Sequence, residues 1–172
     1  MATILAWLEQ TALSVWVRES PSLLAFPFIL YLHTLGLGIV AGLAVGLDVW
    51  LLRFASGRPA APLAPFVPVI WLGFALALVS GALLLLAYPT KALTSPVFYV
   101  KIAAIVVALV QVQWMRERVL VEAAAHEPYV PDAKTRAVAW VSIALWTTAI
   151  FLGRLLAYTY TYLMASDLPG AA

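Results

Sequence analysis

The sequence lacks cysteine entirely and contains few charged residues, and each shortage excludes a class of protein. Without cysteine there is no disulfide framework, no thiolate metal site and no cysteine nucleophile. Charged residues make up only 10% of the 172 residues, whereas typical globular domains carry roughly 25%. Because 65% of the residues are hydrophobic and several apolar runs approach the roughly 20 residues of a membrane span, the sequence predicts an integral membrane protein in contact with the lipid bilayer.

Sequence motifs of known chemistry are also absent. The chain has no Walker-type phosphate loop, no dinucleotide glycine fingerprint, no HExxH and no GxSxG. Its formal net charge is only +2 and its basic residues are scattered, so nucleic acid is not a predicted partner. No catalytic residue is predicted, and the chain is not expected to act as an enzyme by itself.

Four apolar runs are long enough to cross a membrane, at about residues 22–52, 66–87, 97–113 and 137–164. Each must be helical, because lipid offers no partner to an unpaired backbone group. The first run exceeds the length of one span, and Pro27 is the predicted position of a kink. The third run continues as a more polar helical extension, "WMRERVLVEAAA".

The N-terminal segment, residues 1–20, lacks the basic leader of a signal peptide. Its apolar residues share one helical face and its polar residues share another, which predicts a short helix in the membrane interface. The apolar face holds Ile4, Leu8, Ala12, Val15 and Trp16, and the polar face holds Gln10, Ser14 and Arg18. The predicted fold is therefore an all-α membrane bundle of four transmembrane helices in residues 21–172, preceded by an interfacial amphipathic helix.

Basic residues near the ends of the runs predict the orientation of the bundle. Six basic residues lie in the first and third loops, between the first and second runs and between the third and fourth: Arg53, Arg58, Arg116, Arg118, Lys134 and Arg136. The other side of the membrane has only Arg18 and Lys91. This imbalance predicts that those two loops are cytoplasmic and that both termini lie outside the cytoplasm. We expect a multi-pass protein of a bacterial-type inner membrane.

Glycines recur at helical spacing in the first two runs. Gly38, Gly42 and Gly46 lie on one face of the first helix, and Gly73, Ala77 and Gly81 repeat the device in the second. Small residues let helix backbones approach closely in lipid, where dispersion contacts supply much of the association. The two small-residue ridges are predicted to pack against each other. A homo-oligomer built on Gly38, Gly42 and Gly46 is the alternative.

Polar residues inside the runs are candidates for function, since a charge in lipid is unfavourable unless it reaches the interface or faces the bundle interior. The predicted cofactor-binding residues are His33, Lys101, Gln111, Arg154 and Tyr158. Lys101 and Gln111 share a face of the third helix, with Ala104 and Ala108 between them. Thr147, Arg154, Tyr158 and Thr161 form a stripe on the fourth. For Lys101 and Arg154, reaching the outer interface is the alternative to facing inward.

If both stripes face inward, His33, Lys101 and Arg154 converge in the outer half of the bundle. A neutral imidazole can ligate a metal or form hydrogen bonds, and two fixed cations suit an anion such as a carboxylate or propionate. A histidine bonded only to a backbone carbonyl or threonine is the alternative for His33. Asp48 lies about 22 Å from His33 along the helix, near the cytoplasmic border and within reach of Arg53.

Two further sets of residues are placed by the same pattern. His126 lies in a cytoplasmic loop, so it cannot share a site with His33. Five tyrosines map to the outer interface and are typical of an aromatic belt: Tyr88, Tyr99, Tyr158, Tyr160 and Tyr162.

The order of these features resembles a family of uncharacterised bacterial four-helix membrane proteins. The resemblance rests on "LHTLGLGIVAGLAVGLDVWLL", "PFVPVIWLGFALALVSGALLLLA" and "SPVFYVKIAAIVVALV". The family pattern places a basic residue after the aspartate, whereas here Trp50 follows Asp48 and Arg53 comes later. A fainter similarity is to copper-resistance-type membrane proteins, whose histidine also opens a glycine-containing helix. The resemblance implies a fold and a set of polar positions, and no activity.

Three functions fit these observations. The first is a membrane protein that binds a small ligand or redox cofactor, either haem b with His33 as the metal ligand or a quinone-like molecule. Only one histidine lies in a run, so a two-haem cytochrome is not predicted. The second is a small transporter or channel-forming oligomer, although the internal repeats of many transporters are not evident. The third is an accessory subunit of a larger membrane complex.

Overall fold

The structure is a computed structural model that describes the backbone of residues 2–121 and 130–166, with side chains within residues 4–60, 62–119 and 130–156. Most of these residues are helical, and none of them forms a strand. Four of the helices are long and apolar enough to cross a membrane. The predicted all-α membrane bundle with a short helical N-terminal segment is therefore confirmed.

The helices follow the apolar runs closely. In the described part of the chain they are α1 (Ala2–Glu9), α2 (Ala12–Glu19), α3 (Phe26–Arg53), α4 (Phe66–Ala87), α5 (Pro89–Leu93), α6 (Pro96–Met115) and α7 (Ala133–Ser166). A 3-10 turn, Ala61–Leu63, precedes α4, and α6 continues as π-helical turns over Arg116–Val121. The polar extension predicted after the third run is thus helical as far as Val121, the last described residue of this segment.

The four long helices run in alternating directions. Ile29 near the start of α3 packs with Ala87 at the end of α4 and with Val17 of α2. At the other end of the bundle, residues from the end of α3 pack with Val119 and Ala139. This second end carries the basic residues of the first and third loops, Arg53, Arg58, Arg116, Arg118, Lys134 and Arg136, and is called the basic end below.

The core connects all four long helices. α3 packs against α4 and α7, and α7 packs against α6, whereas α4 and α6 share few contacts within the described residues. At mid-depth the buried residues are small on α3 and α6 and large on α7, where Trp146 is 1% exposed. The central cluster consists of Val40, Ala41, Ala44, Ile70, Ala108, Val112 and Trp146.

Prolines mark where the long helices begin. Pro27 lies in the first turn of α3, so it produces no kink, and the prediction of a kink there is wrong. The first turn of a helix has no intrahelical partner for its N–H groups, which is why proline is tolerated there. Pro96 likewise lies in the first turn of α6, as its first residue. The start of α7 is capped by Asp132, whose Oδ1 accepts a hydrogen bond of 2.8 Å from the backbone N–H of Thr135.

The N-terminal segment consists of two short helices rather than one. Thr11 caps the start of the second helix, and its side chain accepts a hydrogen bond from the N–H of Ser14. Ser14 and Val17 are buried, whereas Leu13 and Trp16 are exposed. Ser14 and Val17 therefore face the bundle, whereas Leu13 and Trp16 point away from it, as expected for a helix whose outer surface meets lipid.

α3 and α4 approach each other most closely through Gly36, not through the predicted glycine ridge. A Cβ atom on Gly36 would lie 2.7 Å from the backbone N of Ala77 and 2.8 Å from the backbone O of Gly73. The predicted small-residue face of α4 is therefore used. Gly38, Gly42 and Gly46 are exposed instead, with no atom within 4 Å of an added Cβ. The predicted packing of the two ridges is wrong, because Gly36 and Gly38 are about 200° apart around the helix.

Two glycine substitutions on α3 should differ in effect. Gly36→Ala should lower the free energy of unfolding by about 1–3 kcal/mol, because the new methyl group meets backbone that cannot rotate away. Gly42→Leu should change it little, because its side chain enters open space. Thermal and denaturant unfolding in detergent micelles would measure both. Equal losses in the two variants would contradict the packing described for this pair of helices.

Candidate functional site

His33 is held by α4 at the end of the bundle opposite the basic end. Its Nδ1 lies 2.9 Å from the carbonyl oxygen of Ala77. The imidazole also lies against Gly81, where an added Cβ would be 2.8 Å from Cε1 of the ring. Because Gly81 has no side chain, the ring fits against it. On the small-residue face of α4, Gly81 therefore makes room for the His33 side chain rather than for the backbone of α3.

The hydrogen bond to Ala77 fixes which ring nitrogen carries the proton in the neutral imidazole. A carbonyl oxygen can only accept, so Nδ1 must donate. Ser80 is consistent with a proton on Nδ1. Its Oγ lies 3.4 Å from Nδ1 but donates its own proton to the carbonyl of Leu76 at 2.6 Å, so it does not donate to Nδ1. Nε2 makes no hydrogen bond to any described residue and is left as an acceptor or ligand atom. His33 is thus bonded to a backbone carbonyl, which was the alternative predicted for it. This bond leaves Nε2 available.

Lys101 approaches the same region from α6. Its side chain is only partly exposed, and Ala104 and Ala108 below it are buried, so the predicted polar face of the third helix does face the interior. A Cβ on Gly153 would lie 3.5 Å from Nζ, so the ammonium group lies against α7. Lys101 and His33 therefore lie in the same half of the bundle, opposite the basic end. No carboxylate pairs with Lys101 among the described residues.

Arg154 and Thr147 do not face the interior. Both side chains are exposed, and the hydroxyl of Thr147 donates to the carbonyl of Ile143. The inward orientation predicted for this stripe is wrong for these two residues. The inner face of α7 instead carries Ala139, Ser142, Trp146, Ala149 and Gly153. A binding role for Arg154 stays a prediction, but its side chain is not brought against His33 and Lys101 as the converging arrangement requires.

The remaining predicted residues lie elsewhere or cannot be placed. Gln111 is ten residues from Lys101, about 15 Å along the helix, so it is not part of the same cluster. Its Oε1 is enclosed and has no hydrogen-bond partner among the described residues. The backbone of Tyr158 belongs to α7, but its side chain lies outside the described residues, as do the side chains of Tyr160, Thr161 and Tyr162. His126 also lies outside the described residues.

A second polar cluster lies toward the basic end. Asp48 is 1% exposed and receives a side-chain hydrogen bond from Ser142 on α7. The pairing with Arg53 that the sequence suggested is not present, since Arg53 is exposed. Sequence reasoning gave Ser80, Ser142 and Gly153 no role. Each is a small residue on the buried side of its helix. They could have been identified from the sequence only if the buried side of each helix had been known.

Comparison with known proteins gives no matching family model and no significant match to a curated protein or a solved structure. The fold and the clusters define the class of protein: a multi-pass helical membrane protein with buried polar groups at two depths. The resemblance to bacterial four-helix membrane proteins stays a prediction.

The pair formed by His33 and Lys101 combines opposite hydrogen-bonding properties. The ammonium group of Lys101 only donates, and in the neutral ring Nε2 of His33 only accepts. No group of three or more histidine, aspartate or glutamate side chains that could hold a bare metal ion occurs among the described residues.

Proposed function

We propose that the protein binds a membrane-dissolved, quinone-like molecule between His33 and Lys101 in the half of the bundle opposite the basic end. A quinone oxygen would accept a hydrogen bond from Nζ of Lys101. In the reduced form, the hydroxyl group would donate to Nε2 of His33. The single observation that carries this proposal is the hydrogen bond from Nδ1 to Ala77, since it leaves Nε2 as an acceptor in the same half of the bundle as an ammonium group that has no carboxylate partner among the described residues.

The surroundings of Lys101 support a ligand at this position. A cation within a membrane-spanning helix is unfavourable unless it finds a partner or water, and the described residues supply no carboxylate. A ligand that partitions into the bilayer would reach this depth of the bundle from the lipid without crossing the polar surface.

Haem b is a less suitable ligand for the same residues. His33 would offer Nε2 as one axial ligand, and donation from Nδ1 to a backbone carbonyl is the usual outer-shell arrangement of a ligating histidine. The chain contains only one other histidine, however, and it is His126, which lies outside the described residues. A quinone needs only the donor and the acceptor that the site presents.

Quinone binding can be tested with purified protein in a mild detergent. A short-chain quinone should quench the fluorescence of the seven tryptophans with a saturable dependence on concentration. His33→Ala and Lys101→Met should each weaken binding by about tenfold or more, since each removes a hydrogen bond worth about 1.5 kcal/mol. Mass spectrometry of an organic extract would show whether a natural quinone co-purifies.

The matched control is Lys134→Met, which removes a lysine that lies over Trp114 at the basic end. It should leave quinone affinity unchanged. Unchanged affinity in both His33→Ala and Lys101→Met would refute the proposal. A Soret absorption band that disappears in His33→Ala would show that the ligand is haem and not a quinone.

For the orientation, we propose that the basic end is cytoplasmic, which places both termini outside the cytoplasm of a bacterial-type inner membrane. The six basic residues of that end support this arrangement through the positive-inside rule. The natural absence of cysteine makes the test direct. An impermeant maleimide added to intact cells should label Thr94→Cys, whereas Ser56→Cys should react only after permeabilisation. The reverse pattern would show that the orientation is inverted.

A second function is favoured by the exposed glycine face of α3. Gly38 and Gly42 line an open groove of about 570 Å³ together with Tyr31, Thr34, Leu35, Ile39, Leu43 and Val69. We propose that a second copy of the chain packs its own α3 there, as small-residue faces allow in lipid. Gly42→Leu would then reduce cross-linked dimers in membranes while the fold is retained. Dimers that persist at the same level would exclude this interface.

A further inference from the structure

Asp48 is a buried carboxyl group that the proposed quinone site does not use. It lies on α3, 15 residues from His33 and therefore about 22 Å away along the helix axis. Only 1% of its surface is exposed. Ser142 supplies a side-chain hydrogen bond, but Oδ2 is fully enclosed and has no hydrogen-bond partner among the described residues. A buried polar atom without a partner is unfavourable by about 1–3 kcal/mol.

A small cavity adjoins this carboxyl group. Its volume is about 30 Å³, and its lining includes Asp48, Leu51, Val67, Val112 and Arg116. This volume is sufficient for one water molecule, which needs at least about 10–15 Å³. Arg116 is itself exposed, so the cavity lies between the buried carboxyl group and a side chain that reaches the surface at the basic end.

The charged groups around Asp48 do not neutralise a carboxylate. On α3, Arg53 is exposed, and on the extension of α6, Arg116 is exposed as well. α7 contributes the hydroxyl of Ser142, and α4 contributes the apolar side chain of Val67. No salt bridge to Asp48 is formed among the described residues. An unpaired carboxylate in a low-dielectric interior is unfavourable by several kcal/mol, whereas a carboxylic acid is not.

We infer that Asp48 is a proton-exchange site that communicates with the basic end of the bundle through the cavity beside Arg116. The carboxylate takes a proton from hydronium in the cavity, which forms a carboxylic acid and a water molecule. The reverse step returns the proton to water by the same route. Ser142 holds one oxygen of the carboxyl group while the other carries the exchangeable proton. This inference does not depend on quinone binding, since the two sites share no residue.

Infrared spectroscopy of the full chain in lipid tests the inference. At neutral pH the spectrum should contain the C=O stretching band of a protonated carboxyl group, which Asp48→Asn removes. Asparagine keeps the shape of the side chain and its capacity to bond Ser142. Transfer to deuterated water should lower the frequency of the band, because the proton exchanges through the cavity. The matched control is Glu117→Gln, an exposed carboxyl group at the same end, which should leave the band unchanged.

Three results would overturn the inference. The band could be missing, which would mean that the carboxyl group is ionised and holds a cation or water instead. It could persist in Asp48→Asn, or it could fail to shift in deuterated water. If Asp48→Asn does not fold, Ser142→Ala in the otherwise natural chain supplies the assignment, since losing its hydrogen bond should change the frequency of the Asp48 band. An unchanged frequency in that variant would also contradict the inference.

Discussion

The close approach of α3 and α4 at Gly36 is the contact on which the proposed quinone site depends. No Cβ fits between Gly36 and the backbone at Gly73 and Ala77, so the two helix backbones are in direct contact. One turn earlier on α3, the same closeness brings His33 against Gly81 and onto the carbonyl of Ala77. Wider helix separation would leave the imidazole without this acceptor, and its polar nitrogens would then have to find partners in lipid.

Lipid makes such internal partners more important than they are in water. The hydroxyl of Ser80 bonds to a carbonyl of its own helix, and that of Ser142 bonds to a buried carboxyl group. Several other buried polar atoms have no hydrogen-bond partner among the described residues, and Oδ2 of Asp48 is one of them. It lies in the half of the bundle opposite His33 and Lys101.

Much of the fold could be predicted from the sequence, because a long apolar run in a chain with little charge allows few alternatives to a membrane helix. The direction in which each helix faces could not. Spacing places Gly38 and Gly42 on one side of α3, and Thr147 and Arg154 on one side of α7, but both sides turn out to be exposed. In a soluble protein polarity would mark the outer face, whereas here lipid-facing and buried faces are equally apolar. Lys101 was an exception, because the buried alanines at 104 and 108 share its face.

The proton position on the neutral His33 ring tests the account most directly. Nitrogen-15 NMR of the protein labelled at histidine, with His126→Gln to remove the second histidine, would distinguish the two ring nitrogens. We expect a neutral ring with the proton on Nδ1, hydrogen-bonded to the Ala77 carbonyl, and an unprotonated Nε2. A neutral ring with its proton on Nε2 would show that the carbonyl does not hold the ring and that Nε2 is not available as an acceptor for a ligand.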